Sequence, residues 1–421
     1  MRRALWMAVC LPVPGCGRSV GDRALLCAAL CALGLTSPPP IAGQELSVVA
    51  RRDVLMGQAL REPMVVEMAD GTLFAAGYSR DPAEALDPPN LYRSDDGGES
   101  WVQVDVGTVE EGAVGNSDVD LRAGPDGSLY FLTMGFDRTV GEGTHVALGI
   151  SRDGGSSWSW RDVSRSRFDD RPWIGVTADG GAHVVWNDGE GVRHAVSADR
   201  GETWVEVDRI ADAGGSSHLA MGPAGEMAVR IAPGSASGSR VDPEADQVAV
   251  SRDGGRSWSL APAPGERDWE EVPRWVEPLA WGEDGSLFSL WSEGSVLRLG
   301  RSRDDGRSWE IHDLVDGADP VYYPFLVRGP DGLLGLSWFS GLGDDLRARV
   351  GLVDPSSSPM AIRTTPALDV DAWRVRDGGR VRDPAGEYFP VLFLRNGDLG
   401  AVLPIQASER GDGLSWIRIR R

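Results

Sequence analysis

Ser151-Arg152-Asp153-Gly154-Gly155-Ser156-Ser157-Trp158 is one of five copies of a single octapeptide. The others begin at Ser94, Ser197, Ser251 and Ser302, so the copies follow one another at intervals of 46 to 57 residues. All five read Ser-x-Asp-x-Gly-x-Ser/Thr-Trp. The aspartate can accept hydrogen bonds from turn amides. The glycine takes a backbone angle that other residues resist. The tryptophan opens the next strand with a large ring to bury. The octapeptide is therefore a hairpin turn, complete as scaffold without any chemistry. A period in this range points to the blades of a propeller.

A second pattern alternates with the first. Apolar runs flank tight turns at Asp70-Gly71, Asp126-Gly127, Asp179-Gly180, Ala224-Gly225, Asp284-Gly285, Asp331-Gly332 and Asn396-Gly397. Asp-Gly and Asn-Gly between such runs are strong hairpin signals, and helical periodicity is absent. Together the patterns give a four-stranded unit: strand A, the Gly turn, strand B, a loop, strand C, the octapeptide turn and strand D. Seven units start near residues 61, 116, 170, 216, 276, 322 and 388, the last two without an octapeptide. The final unit runs out of chain after strand C. A strand over residues 46–51 then supplies its strand D and closes the ring, which removes exposed sheet edges. The fold class expected is all-β: one β-propeller over residues 44–421, with seven four-stranded blades by repeat count.

Composition narrows the partners. The chain of 421 residues carries a net charge of −21, and arginine supplies all 42 of its basic residues, lysine being absent. An acidic surface repels nucleic acid and anionic membranes, so neither is expected as a partner. Residues 1–43 read as a secretory leader: an apolar run over 24–35 follows Arg23, and small residues close the segment at Ala42-Gly43. That run is short for a membrane span. A secreted or periplasmic monomer is expected, without membrane insertion after cleavage and without a lipid anchor. Cys10, Cys16, Cys27 and Cys31 all lie in the leader, leaving the mature chain no disulfide and no thiolate metal site. His145, His183, His194, His218 and His312 show no metal-ligand spacing, and no metal or cofactor is expected.

Strand direction alternates within a blade, so the starts of strands A and the B–C loops share one face, opposite the repeated turns. Strand A lines the channel, and its starts converge on a concave mouth, a natural ligand site. Those starts carry Arg61-Glu62, Asp118 with Asp120, Asp170-Arg171, His218, Arg274 with Glu277, Tyr322-Tyr323 and Glu387-Tyr388. Each unit thus places a polar or ionisable group just before an apolar strand. Arg61, Arg171 and Arg274 together would clamp a sugar carboxylate through forked hydrogen bonds. A tyrosine beside a carboxylate can act as a nucleophile, because the carboxylate takes its proton. The bland alternatives are local ion pairs for Arg61 and Arg171, ordinary strand aromatics at Tyr322-Tyr323, and a satisfied channel-lining histidine at His218.

The octapeptides resemble the Asp boxes, or BNR repeats, of the sialidase (neuraminidase) superfamily. The likeness extends to the first unit, where Arg61-Glu62-Pro63, Asp70-Gly71-Thr72-Leu73, a loop over residues 78–90 and the box at Ser94 follow in the order sialidases show. Sialidases have six blades, which makes six the alternative to seven. The resemblance implies an exo-glycosidase for terminal acidic sugars, with a carbohydrate or glycoconjugate as partner. It implies Tyr323 as nucleophile with Glu277 as its base, and Asp81 or Asp87 as general acid. Arg61, Arg171, Arg274, Asp118, His218, Tyr322 and Tyr388 are then the substrate-binding set, and Tyr388 or Tyr322 can stand in for Tyr323. The alternative function is a non-catalytic Asp-box propeller that binds a glycan or a protein partner on the same face.

Overall fold

A computed structural model describes residues 45–78, 89–115, 117–137, 139–233, 243–265, 277–376, 379–384, 386–407 and 411–421. The expected leader lies outside these residues. Seven antiparallel sheets follow one another along the chain. Their inner strands A are Arg61–Glu67, Val119–Ala123, Asp170–Val176, Gly215–Met221, Leu279–Trp281, Val321–Arg328 and Val391–Phe393, which define blades 1 to 7. These match the seven units read from the repeats, so the six-bladed alternative falls. Among the described residues helix is confined to short 3-10 turns. No helix among them is long and apolar enough to cross a membrane.

Blade 7 closes the ring as its sequence requires. Its strands Val391–Phe393, Leu399–Ala407 and Gly411–Arg420 pair in order, and the N-terminal strand Ser47–Leu55 adds the fourth. The last ladder runs antiparallel from Ser47 opposite Arg420 to Leu55 opposite Gly413. Opening the ring would unzip that ladder, so the two ends of the chain lock each other.

The five octapeptides share one hydrogen-bond pattern. In the second, Asp153 Oδ1 accepts from Ser151 Oγ at 2.9 Å and from the Ser157 amide at 2.9 Å, while Oδ2 accepts from Ser157 Oγ at 2.6 Å. The Gly155 amide donates back to Ser151 Oγ at 2.8 Å. In the first three copies the tryptophan adds a bond, as Trp158 Nε1 does to the Gly155 carbonyl at 3.2 Å, whereas Trp258 and Trp309 do not make it. The fifth-position glycine has positive φ in every copy, and in the first it also leaves no room for a side chain. At Gly98 φ is +93°, and a Cβ there would lie 2.1 Å from Trp416 Nε1. Blade 6 keeps the principle without the octapeptide, since Asp354 Oδ1 accepts from the Ser356 amide at 2.9 Å and its hydroxyl at 2.6 Å.

Packing between blades supplies the core. Strands B such as Leu73–Tyr78, Ala182–Asn187 and Met227–Ala232 are buried along their whole length. Trp173, Trp186, Trp281, Trp291, Trp338 and Trp416 are fully enclosed. Each large apolar side chain buried this way contributes about 1.5–3 kcal/mol. One element has no counterpart in the repeat: a hairpin of Trp373–Arg376 with Gly379–Arg382 in the connection from blade 6 to blade 7. Arg382 Nη1 pins it to the Asp344 carbonyl at 3.2 Å.

Candidate functional site

Three inner strands begin with the same irregularity. Glu62, Arg171 and Tyr323 each precede a proline and hold φ near +47°, +48° and +49°. The ladder to strand B slips at each of these places, between Arg61 and Met64, between Asp170 and Trp173, and between Tyr322 and Phe325. A bulge leaves one residue unpaired and re-aims its side chain. The following proline has no amide proton, so it suits a gap in the ladder. A side-chain-bearing residue in left-handed backbone costs on the order of 1–3 kcal/mol, and such strain gathers at functional sites.

The three re-aimed side chains meet at the channel mouth. Glu62 is buried, and its Oε1 accepts a hydrogen bond from Tyr78 Oη at 3.1 Å. Burial, then the charges of Asp118 and Glu387, hold the Glu62 carboxyl well above the usual carboxylate range, with Arg171 opposing. Glu62 therefore holds its proton more tightly than an exposed glutamate does. Arg171 Nη2 meets Glu387 Oε2 at 2.9 Å. Burial pushes the Tyr323 hydroxyl up, and the charges of Glu387, Glu62 and Asp383 add to it.

An aromatic layer floors this bowl. Trp173 packs against Tyr388 at 5.5 Å between ring centres and against His218 at 5.2 Å, and His218 meets Phe325 at 6.2 Å. Burial, followed by the Arg122 charge, pushes the His218 imidazole down to about 3. That neutral ring takes the Leu279 amide on Nδ1 at 3.3 Å. The channel beyond holds a cavity of about 340 Å³ lined by Met64, Met221 and Leu326 among others.

The expected site residues divide sharply. Glu62, Asp118, Arg171, Tyr323 and Glu387 act on one another electrostatically. Arg61 stands beside them with its guanidinium over the Tyr78 ring, 5.1 Å from the centroid. The Tyr322 hydroxyl donates to the Gly341 carbonyl at 2.7 Å, and its ring lies edge-on to Tyr323 at 5.4 Å. Tyr388 and His218 belong to the floor. Arg274, Asp81 and Asp87 lie outside the described residues.

The pairing of Tyr323 with Glu277 is not what the fold makes. Glu277 Oε2 takes Arg230 Nε at 2.9 Å and Nη2 at 2.6 Å. Arg230 has no exposed side-chain surface, so it requires a buried counter-charge, and Glu277 supplies it. The carboxylates acting on Tyr323 are Glu387, Glu62 and Asp383 instead. The placing of Glu62 among these groups is not among the expected site calls, although a signal for it was present. A residue before proline recurs at one register, in Arg61-Glu62-Pro63, Asp170-Arg171-Pro172 and Tyr322-Tyr323-Pro324.

No protein-family model and no curated protein matches the chain. Solved structures do. The α-L-arabinofuranosidase Arb93A of Fusarium graminearum superposes with a TM-score of 0.50 at 14% identity, over 90% of this chain and 98% of that one. YCF48 of Cyanidioschyzon merolae gives 0.48 at 12% identity over 88% and 99%. A Hadza microbial sialidase, Hz136, gives 0.42 at 17% identity over 73% and 65%. Likeness at such identity speaks to the fold alone: the chain is a seven-bladed β-propeller.

Proposed function

We propose that the chain is an exported glycoside hydrolase acting on a terminal sugar in the bowl, with Glu62 as proton donor. One observation carries this reading: a strained backbone sets a buried carboxyl, its proton held more tightly by burial and neighbouring charge, beside Arg171 and Tyr323 at the channel mouth. Glycosidases raise the pKa of their acid so that it still holds its proton at working pH. The Tyr78 hydroxyl holds the Glu62 carboxyl through its hydrogen bond.

In this reading Glu62 gives its proton to the glycosidic oxygen as the bond to the anomeric carbon breaks. Tyr323 Oη forms a bond to that carbon, and its proton passes to Glu387. Water then attacks the same carbon, gives its proton to Glu62, and returns the tyrosine oxygen, which recovers its proton from Glu387. The upward shift of Tyr323 means that its hydroxyl stays protonated until attack, so proton transfer to the carboxylate belongs to the bond-forming step. The resemblance to sialidases supports an acidic terminal sugar. The arabinofuranosidase neighbour supports a neutral pentose in the same fold.

A second reading, a bowl that binds glycan without turnover, is favoured by one feature. Tyr323 and Tyr388 both hold their hydroxyl protons tightly, which suits hydrogen bonding to a sugar as well as chemistry. Hydrolysis of a panel of fluorogenic aryl glycosides, arabinofuranoside, galactoside and sialoside among them, separates the two. The hydrolase reading expects turnover of at least one, and a loss of roughly 10²–10⁴-fold in Glu62→Gln. Binding without turnover across the panel would sink it.

A further inference from the structure

An arginine in a sugar-binding bowl is ordinarily the anchor for an acidic sugar, because its planar fork matches a carboxylate. Arg171 stands where such an anchor belongs. It rises from the left-handed bulge of blade 3, with its side chain 11% exposed at the mouth. Yet its Nη2 already meets a carboxylate of the same chain, Glu387 Oε2, at 2.9 Å. The two residues come from blades 3 and 7, so the contact joins non-adjacent blades across the mouth.

The backbone is shaped for that contact. Glu387 follows Gly386, whose φ is +114°. A Cβ on Gly386 would lie 2.2 Å from Glu62 Cγ and 2.8 Å from the Glu62 amide nitrogen. Only glycine lets the chain run down against Glu62 and deliver the next residue to Arg171. A substrate carboxylate that took this place on Arg171 would displace Glu387 and enter a bowl that also holds Asp118 and Asp383. Like charges at such range repel, and burial strengthens the effect.

We infer that Glu387 is a built-in counter-anion that sets specificity: it fills the carboxylate position of Arg171 and so selects uncharged terminal sugars over uronic or sialic acids. This rests on the reading of the bowl as a sugar site. The specificity element is a repulsive one, supplied by the protein itself.

Titration calorimetry with matched monosaccharides tests it: galactose against galacturonic acid, glucose against glucuronic acid, and arabinose against N-acetylneuraminic acid. The wild-type chain is expected to bind a neutral sugar about tenfold or more tightly than its acidic counterpart. Glu387→Gln is expected to cut that ratio about tenfold by tightening the acid. Glu387→Asp, which keeps the charge on a shorter arm, is expected to fall between the two, and it carries the test together with the wild-type ratio if the glutamine variant fails to fold. A wild-type preference for acids, or a ratio unmoved by loss of the charge, overturns the role of Glu387 while the sugar site stands. No binding of any sugar by any of these proteins overturns the sugar site itself, and the inference with it.

Discussion

On the face of the repeated turns, Asp96, Asp153, Asp199 and Asp253 do the same job four times. Each accepts a hydroxyl and an amide two to four residues away, and each carboxyl is pulled down to about 2 by those hydrogen bonds, the hydroxyl first. On the opposite face, one strand register carries Glu62, Arg171 and Tyr323, three different chemistries in three blades. Glu62 there is pushed the other way, upward, by burial and neighbouring charge. The turns are repetitive and self-satisfied. The mouth is varied and strained, and burial and neighbouring charge make its carboxyl hold its proton more tightly. Repetition marks scaffold, whereas the mouth sets different chemistries at one shared backbone register.

The contrast can be broken by mutation, beginning with the largest effect. Glu62→Gln removes the proton donor and is expected to lower turnover by roughly 10²–10⁴-fold. The same change is expected to raise the melting temperature at neutral pH. The sign follows from linkage. A carboxyl raised on folding stays protonated while its unfolded counterpart ionises, so it costs stability as pH rises above the ordinary carboxylate range. The gain in melting temperature should therefore grow from about pH 4.5 to pH 7, and a flat or negative difference in thermal melts would contradict the assignment.

Two glycines give a matched comparison. Gly386→Ala and Gly98→Ala both force a Cβ into occupied space at positive φ. Each is expected to cost about 1–3 kcal/mol by denaturant titration. Only Gly386→Ala should also depress turnover per folded molecule, because its clash is with Glu62. Equal activity in the two variants would remove Gly386 from the site.

Asp153→Asn is expected to have a smaller effect, of opposite sign to that at Glu62. It lowers the melting temperature at neutral pH and leaves turnover unchanged. The contribution of a depressed carboxyl is present above the ordinary carboxylate range and lost as pH falls towards 2, so the variant and the wild type should converge in acid. The smallest effect concerns His194, held down at about 3 by burial first and then by His183, whose Nδ1 lies 3.1 Å away. Its neutral form favours the fold above pH 6.5, and that stability is lost progressively as pH falls from there towards 3. In His194→Asn the decline of melting temperature over this window should be shallower.

The two faces were not equally legible in the sequence. Local chemistry writes the turns: a serine, an aspartate and a glycine within eight residues satisfy one another, and the blade count and the closing N-terminal strand follow from them. The hairpin of Trp373–Arg376 and Gly379–Arg382 escaped this reading because Trp373-Arg374-Val375-Arg376 fits no four-strand count, although Asp377-Gly378 between its halves is a turn signal. The mouth was visible as a concentration of polar residues, but its pairings were not. Next to Asp169 and Asp170, Arg171 reads as a local ion pair. Yet Asp169 takes Trp186 Nε1 at 3.0 Å and the Ser166 amide at 2.8 Å, while Arg171 reaches across to Glu387. Glu277 reads as a base until a fully buried Arg230 claims it. Such partners are set by blades brought together in space, which spacing along the chain does not encode.

The neutral state of Glu62 at working pH is the point on which the hydrolase reading turns. Carboxyl-carbon NMR on glutamate-labelled protein, assigned by the loss of one signal in Glu62→Gln, measures it directly across pH 3 to pH 8. One glutamate is predicted to keep its protonated chemical shift through neutrality while the exposed glutamates ionise near pH 4.5. A Glu62 signal that ionises together with those exposed glutamates would contradict the account.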